Sequence, residues 1–347
     1  MTPSHRTLLV NRIIAGHIRC KINGATLLYK HNTPTDKYLA EEEYMAVLGE
    51  AEMDGALNEE ELEQTLRENG IWGPVKEAKL KQCMKNIDDL KFQLYQSLLK
   101  PGTQKELRIA LDETRSLVST LHNTKHSLDY LSAMGAATIV KLRFLAGMAI
   151  YDIAGNQLYD YNSYWSDDTS IVDTVLTYIS TLRIEESQYR ELVRNEPWRS
   201  ISYTGQHTTL FSCINDEQKM LLYWSKVYQN VYEHPEAPPE DVINDDDILD
   251  GWFIAQRRKR EKETDKDYVE SKLTNEKIKS SSEVFVVADA EGRKRVDNAN
   301  TEAAIIKRKQ RMAYLEKKGT LDEAEMPDTK LEIMTARNRA ATAKMKG

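Results

Sequence analysis

The sequence predicts a mainly α protein: a helical bundle with a small N-terminal β-hairpin and a charged helical C-terminal extension. First, 15 Gly and 9 Pro in 347 residues are too few for a turn-rich all-β sandwich. Second, the 30% of charged residues fits long solvated helices. Third, apolar residues recur at steps of three and four over long segments, as at Leu80, Met84, Ile87, Leu90, Leu94 and Leu98.

The N-terminal region, residues 1–34, carries the strand pattern of the chain. The stretch HIRCKINGATLLYK alternates apolar and basic residues from Ile18 to Ile22 and then reaches Asn23-Gly24. Asn-Gly between two β-type runs favours a tight turn, because both central residues take positive φ. We therefore predict a β-hairpin here.

Residues 35–232 form the predicted helical core domain. Asn58 with Glu61 three residues later has the spacing of a capping box, and Gly70 provides a stop for that helix. Two long amphipathic segments, 76–99 and 104–122, follow on either side of Pro101-Gly102. The Ala- and Gly-rich helix after them has small residues that permit close approach of neighbouring helices.

The most apolar segment, residues 128–152, is predicted to be a buried core helix. Lys141 and Arg143 lie in its middle. Each such residue costs about 2.5–3.5 kcal/mol at the centre of a bilayer, so a membrane span is not predicted.

Residues 233–250 are predicted to be an acidic, proline-containing linker, because the prolines of EHPEAPPED cannot continue a helix. Residues 251–347 are predicted to be a charged helical extension with a short strand at 283–288 and a mobile tail. Residues 1–252 carry 25 Lys and Arg against 38 Asp and Glu, a net charge of −13. Residues 253–347 carry 23 against 17, a net charge of +6.

The candidate site is the junction EDVINDDDILDGWFIAQRRKREKE. Its acids could form a metal site, but aligning Gly251 with the glycine of a calcium loop puts Ile248 and Arg257 at ligand positions. No metal site is therefore predicted. The acids instead suit a helix start, where the backbone dipole favours anions, and the bases lie further along the helix.

That interpretation leaves three consecutive apolar residues, which cannot all share one helix face. Aromatic residues dominate contact energies, so we predict a partner-binding segment. Docking of the same segment onto the acidic body of its own chain remains the alternative. The predicted partner-binding residues are Trp252, Phe253, Ile254, Asp245, Asp246, Asp247, Asp250, Arg257 and Arg258.

No catalytic residue, cofactor or enzymatic activity is predicted. The sequence has no GxSxG, P-loop, GxGxxG or HExxH motif, and its seven histidines are scattered. The basic blocks around Arg257 and Lys307 lie among acidic residues, which favours solvated helix faces over a nucleic-acid interface. Three widely separated cysteines indicate a reducing cytosol.

The stretches TPTDKYLAEEEYMAVLGEA, KHSLDYLSAMGAA, DDDILDGWFIAQRRKREKE and EVFVVA resemble late-region virion and tail assembly proteins of large tailed bacteriophages. The resemblance implies a non-enzymatic tail assembly chaperone that binds a helical tape-measure or other tail protein. The alternative is a structural tail, neck or baseplate component that stays in the virion. The resemblance implies a location in the host cytoplasm or the virion and no membrane partner. It leaves open whether the protein forms a homo-oligomer.

Overall fold

The computed structural model of the chain describes residues 1–22, 24–205, 210–211, 215–272 and 289–300, together with Ile305, Arg308 and Lys309. The chain divides into two compact units, Met1–Phe253 and Ile254–Gly347. The first unit ends three residues into the predicted extension.

The described residues are mainly helical, as predicted. The helices are α1 (Pro3–Ala15), α2 (Pro34–Met53), α3 (Glu59–Glu68), α4 (Pro74–Gln96), α5 (Pro101–Lys125), α6 (Ala133–Met148), α7 (Ser170–Thr181), α8 (Glu186–Arg194), α9 (Trp198–Tyr203), α10 (Asp216–Tyr232), α11 (Glu240–Ile243), α12 (Asp246–Lys272) and α13 (Ala290–Ala299). No helix in the described part of the chain has the length and apolar character required to cross a bilayer.

The predicted hairpin is confirmed. Strands β1 (His17–Ile22) and β2 (Ala25–Lys30) pair antiparallel, with Ile22 opposite Ala25. Gly24 has a φ of 80°, the positive value that a tight turn requires. A two-residue strand, β3 (Ile150–Tyr151), adds to β2 and makes a three-stranded sheet. The N-terminal region also contains α1, a helix that was not predicted from the sequence.

Among the described residues of the first unit, buried side chains form three clusters. One cluster joins α1, the end of α4, α8, α9, α10, α11 and the start of α12, with Trp198, Tyr228 and Leu249 among its most buried residues. A second cluster packs the hairpin against α2, α6 and α7. A third, smaller cluster joins α3, α4 and α5 through Leu66, Trp72, Leu80 and Leu121.

The apolar stripe predicted along α4 is divided between two of these clusters. Leu80 packs in the small cluster, and Leu94 packs in the cluster of α1 and α8. Met84, between them, is exposed and belongs to neither cluster. The apolar spacing therefore does not mark one continuous buried helix face, since Met84 and Leu98 are both exposed.

The segment predicted to be a linker, 233–250, is not a spacer. Pro239 precedes the first residue of α11, a position that proline tolerates because no helical hydrogen bond is lost there. Val242, Ile243, Ile248 and Leu249 are then buried in the cluster of α1 and α8. Burial of these four apolar side chains anchors the segment to the first unit.

Within the second unit, polar contacts join the described parts. Asn298 donates a hydrogen bond to Asp265 at 3.1 Å, and the guanidinium of Arg295 lies 5.1 Å from the ring centre of Tyr268. Arg308 forms an ion pair with Asp297. The predicted strand at 283–288 and the predicted tail lie outside the described residues.

Candidate functional site

The acidic segment begins α12, as the helix-start interpretation expected. The Oδ1 atom of Asp245 accepts hydrogen bonds from the backbone N–H groups of Asp247, at 3.1 Å, and Ile248, at 3.0 Å. These bonds satisfy two donors that have no partner within the helix. Local sequence therefore explains where the helix starts.

Each of the four predicted aspartates forms an ion pair with a basic residue of the same unit. The partners come from α4, α5 and α8, which are distant in sequence. The pairs are Asp245 with Arg108 (2.5 Å), Asp246 with Arg194 (2.7 Å), Asp247 with Arg115 (3.1 Å), and Asp250 with both Arg190 (2.5 Å) and Lys91 (2.6 Å).

Arg190 is the most buried cation of this network, with 5% of its surface exposed. Its guanidinium lies 4.3 Å from the ring centre of Trp224, close enough for a cation–π contact. Burial, the largest single influence, lowers the pKa of Arg190, but Asp250 and Asp246 act together with Tyr228 to outweigh it, and the pKa is raised overall. Arg190 therefore remains charged inside the fold, held between the Trp224 ring and the carboxylates of Glu186, Asp246 and Asp250.

The aromatic residues of the predicted site also pack inside the chain. Trp252 is 3% exposed and belongs to the cluster of α1 and α8, against which Phe253 packs. His234 meets the Trp252 ring edge-on, with 5.2 Å between the ring centres. Ile254, the first residue of the second unit, is buried as well.

These contacts correct the prediction that this segment is a ready partner-binding surface. Trp252 is not accessible to another protein in this structure, and Asp245, Asp246, Asp247 and Asp250 are paired within the chain. These contacts agree better with the alternative prediction, in which the segment docks onto the acidic body of its own chain. Arg257 is exposed and Arg258 is partly buried, and a partner for these two remains a prediction.

Gly251 explains how α12 packs so closely against α4. A Cβ atom at Gly251 would lie 2.1 Å from the carbonyl oxygen of Lys91 and 2.8 Å from the Cβ of Tyr95. Only glycine permits this contact between α12 and α4. Gly251 therefore lowers the local stability of α12 but allows the helix to pack against α4.

A groove in the first unit offers an accessible binding surface, with a volume of about 880 Å³. One wall is a face of α3, with Leu62 and Leu66 at helical spacing, and the other is a face of α6, with Met134 and Ile139. The two walls are joined at their starts, because Leu57 accepts a hydrogen bond from the N–H of Ala133 at 3.0 Å.

The apolar side chains of the groove are of two kinds. Leu66 and Trp72 are buried and belong to the small cluster beneath the groove. Met134 and Ile139 are 48% and 49% exposed, and Tyr130 is 62% exposed. Large apolar residues left this accessible around a concave surface are typical of a binding site.

Charged side chains surround this apolar surface. Lys125 donates to Glu77 at 3.0 Å, and Arg67 donates to Glu63 at 2.8 Å. The hydrogen bond from Lys125 holds the pKa of Glu77 below its ordinary value. Glu77 is therefore ionised throughout the neutral range.

The groove also contains a histidine–aspartate pair, with 2.7 Å between Nδ1 of His126 and Oδ2 of Asp129. A hydrolytic triad would need a hydroxyl aligned with this pair. The neighbouring Ser132 instead donates to the backbone oxygen of Asp129 at 2.7 Å and accepts from the N–H of Gly135 at 2.9 Å. These bonds commit the Ser132 hydroxyl to capping α6.

No group of three metal-ligating side chains comes together among the residues that the structure describes. The groove itself was not predicted from sequence, because its walls lie about seventy residues apart. The amphipathic face of α3 was the only local signal. Comparison of the chain with protein-family models, curated proteins and solved structures found no match.

Proposed function

We propose that this chain is a non-enzymatic assembly protein that binds a helical segment of another protein in the groove between α3 and α6. The observation that carries the proposal is the exposure of Met134 and Ile139 above the buried Trp72. An amphipathic helix that lays its apolar face into such a groove is a common mode of peptide recognition.

The helical spacing of the walls fits such a ligand. Met134 and Thr138 lie one turn apart, Ile139 lies beside them, and Leu142, which is also exposed, continues the face beyond the groove. Eight residues of helix extend about 12 Å, or roughly two turns. A partner helix of a few turns could therefore cover this face.

In the biological setting indicated by the sequence resemblance, the chain is a tail assembly chaperone of a large tailed bacteriophage. Its partner is then a tape-measure or other tail protein in the host cytoplasm. A long helical tape-measure chain exposes apolar faces until the tail tube surrounds it, and the groove would cover one such face. The second candidate is a structural component that remains in the virion.

Co-expression with the tape-measure protein tests this proposal. The wild-type chain is expected to raise the solubility of the tape-measure protein and to co-purify with it, whereas Ile139→Asp and Met134→Asp are expected to lose both effects. Leu8→Asp is the matched control, because Leu8 is 62% exposed on α1 and outside the groove. Equal loss of solubility and co-purification in all three variants would contradict binding in the groove. The same holds if the wild-type chain has no effect on the tape-measure protein.

Mass spectrometry of purified particles separates the two candidates. A chaperone is expected to be absent from the mature particle, whereas a structural component is expected at fixed stoichiometry.

A further inference from the structure

We infer that the helix bound by the groove is basic, with Lys or Arg beside its apolar stripe on the side that faces α3. This inference rests on the proposed function and adds the charge of the partner.

The groove lining is acidic overall. Its carboxylates are Glu59, Glu63, Glu77 and Asp129, and its permanent cations are Arg67 and Lys125. Four negative charges against two positive charges leave a net −2 while His126 is neutral. The same sign holds for the whole first unit, in which residues 1–252 carry −13.

Within the described lining, one carboxylate, Glu59, has no contact with a basic side chain. Arg67 is paired with Glu63 and Lys125 with Glu77, and His126 contacts Asp129, whose charge stays in place while the imidazole is neutral. Glu59 forms no ion pair with any residue that the structure describes, and it is exposed. An acidic or phosphorylated partner would meet this carboxylate, whereas Arg67 and Lys125, the permanent cations of the described lining, are already paired.

Glu59 is also well placed to contact a helix in the groove. It lies in the first turn of α3, and Leu62 and Glu63 follow on the same face, three and four residues later. A basic side chain beside an apolar stripe that contacts Leu62 can therefore reach Glu59 and Glu63. Complementary charges of this kind set partner choice and register.

Three synthetic peptides of about 18 residues, or about five helical turns, test the inference with the full-length chain. Two share one apolar stripe and differ only in their flanking residues, Lys in one and Glu in the other. The third has the composition of the Lys peptide with its apolar residues scattered. Fluorescence anisotropy of labelled peptides gives their dissociation constants.

We expect the Lys peptide to bind about five- to tenfold more tightly than the Glu peptide, as for a few partly exposed ion pairs. The ratio of the two dissociation constants, Glu peptide to Lys peptide, should fall at high salt, because such ion pairs are screened. Glu59→Gln should reduce the ratio, and Glu59→Lys should reduce it further. Glu106→Lys is the control: it makes the same charge change at an exposed position of α5 outside the groove, and should leave the ratio unchanged.

The outcomes separate this inference from the function on which it rests. Equal binding of the Lys and Glu peptides, or tighter binding of the Glu peptide, overturns the basic partner and leaves the groove as a helix-binding site. Binding of neither peptide overturns both. Equally tight binding of the scattered peptide also overturns both, because the contact would then need no apolar stripe.

Discussion

Gly251 of α12 lies directly against the carbonyl of Lys91 in α4, so that a Cβ atom at Gly251 would be 2.1 Å from that oxygen. Replacement by alanine must push the two helices apart. Gly251→Ala is expected to lower the free energy of unfolding by about 1–3 kcal/mol, the usual cost of overpacking a core.

Gly49→Ala is the matched control, because Gly49 lies within α2 and nothing lies within 4 Å of an added Cβ. Alanine is expected to stabilise there by about 0.5–1 kcal/mol, since it loses less backbone entropy in a helix. Urea unfolding of both variants measures the two effects. Equal changes in the free energy of unfolding of the two variants would mean that α12 does not contact α4 this closely.

Trp252→Ala is expected to destabilise the fold, because the indole is 3% exposed within the largest cluster. Loss of a buried aromatic side chain costs about 3–5 kcal/mol. Tyr203→Ala is the control, since Tyr203 is 94% exposed. A Trp252→Ala variant with wild-type thermal stability would show that the indole is free for a partner, as the sequence first indicated.

The ion pair of the buried Arg190 with the partly buried Asp250 is expected to contribute more to stability than a surface pair. Removal of one partner of a buried pair costs about 3–5 kcal/mol, because the other charge remains without compensation. Lys91 also contacts Asp250, so the loss in Arg190→Ala should lie near the lower end of that range.

A double-mutant cycle on Arg190 and Asp250 measures their coupling, which we expect to exceed about 1 kcal/mol. The cycle on Arg67 and Glu63, whose side chains are mostly exposed, should give about 0.5 kcal/mol or less. A coupling of Arg190 with Asp250 no larger than that of the surface pair would contradict the network.

The loop before α7 is expected to lose order in acid. Asp160 accepts a hydrogen bond from the backbone N–H of Ser163 at 2.7 Å, and Asp168 accepts one from that of Ser170 at 2.9 Å. These bonds lower the pKa of both carboxylates below the ordinary 3.8. Their contribution is therefore complete above pH 3.8 and is lost as the pH falls through the lowered values.

NMR titration of the Asp carboxyl groups checks this direction, and the indole signal of Trp165 reports order in the loop. The Trp165 signal should change only below about pH 4, where carboxyl groups titrate. Asp160→Asn should remove part of that change. Midpoints of Asp160 and Asp168 above 3.8 would contradict the hydrogen-bonded loop.

Local sequence predicted the elements whose causes are local. The hairpin turn at Gly24, the capping box of Asn58 with Glu61 and the acidic start of α12 all depend on residues a few positions apart. Hydrogen bonds of caps and turns form within such a stretch, so the sequence alone determined them.

The tertiary structure decided which surfaces are covered. Whether Trp252 faces a partner or the core depends on Arg190, Arg194 and Lys91, which approach the acidic segment only when α4 and α8 fold against it. The groove likewise exists because α3 and α6 meet across about seventy residues of sequence. Periodicity shows that a helix has an apolar face, but the contacts of distant segments determine whether that face is buried or left for another protein.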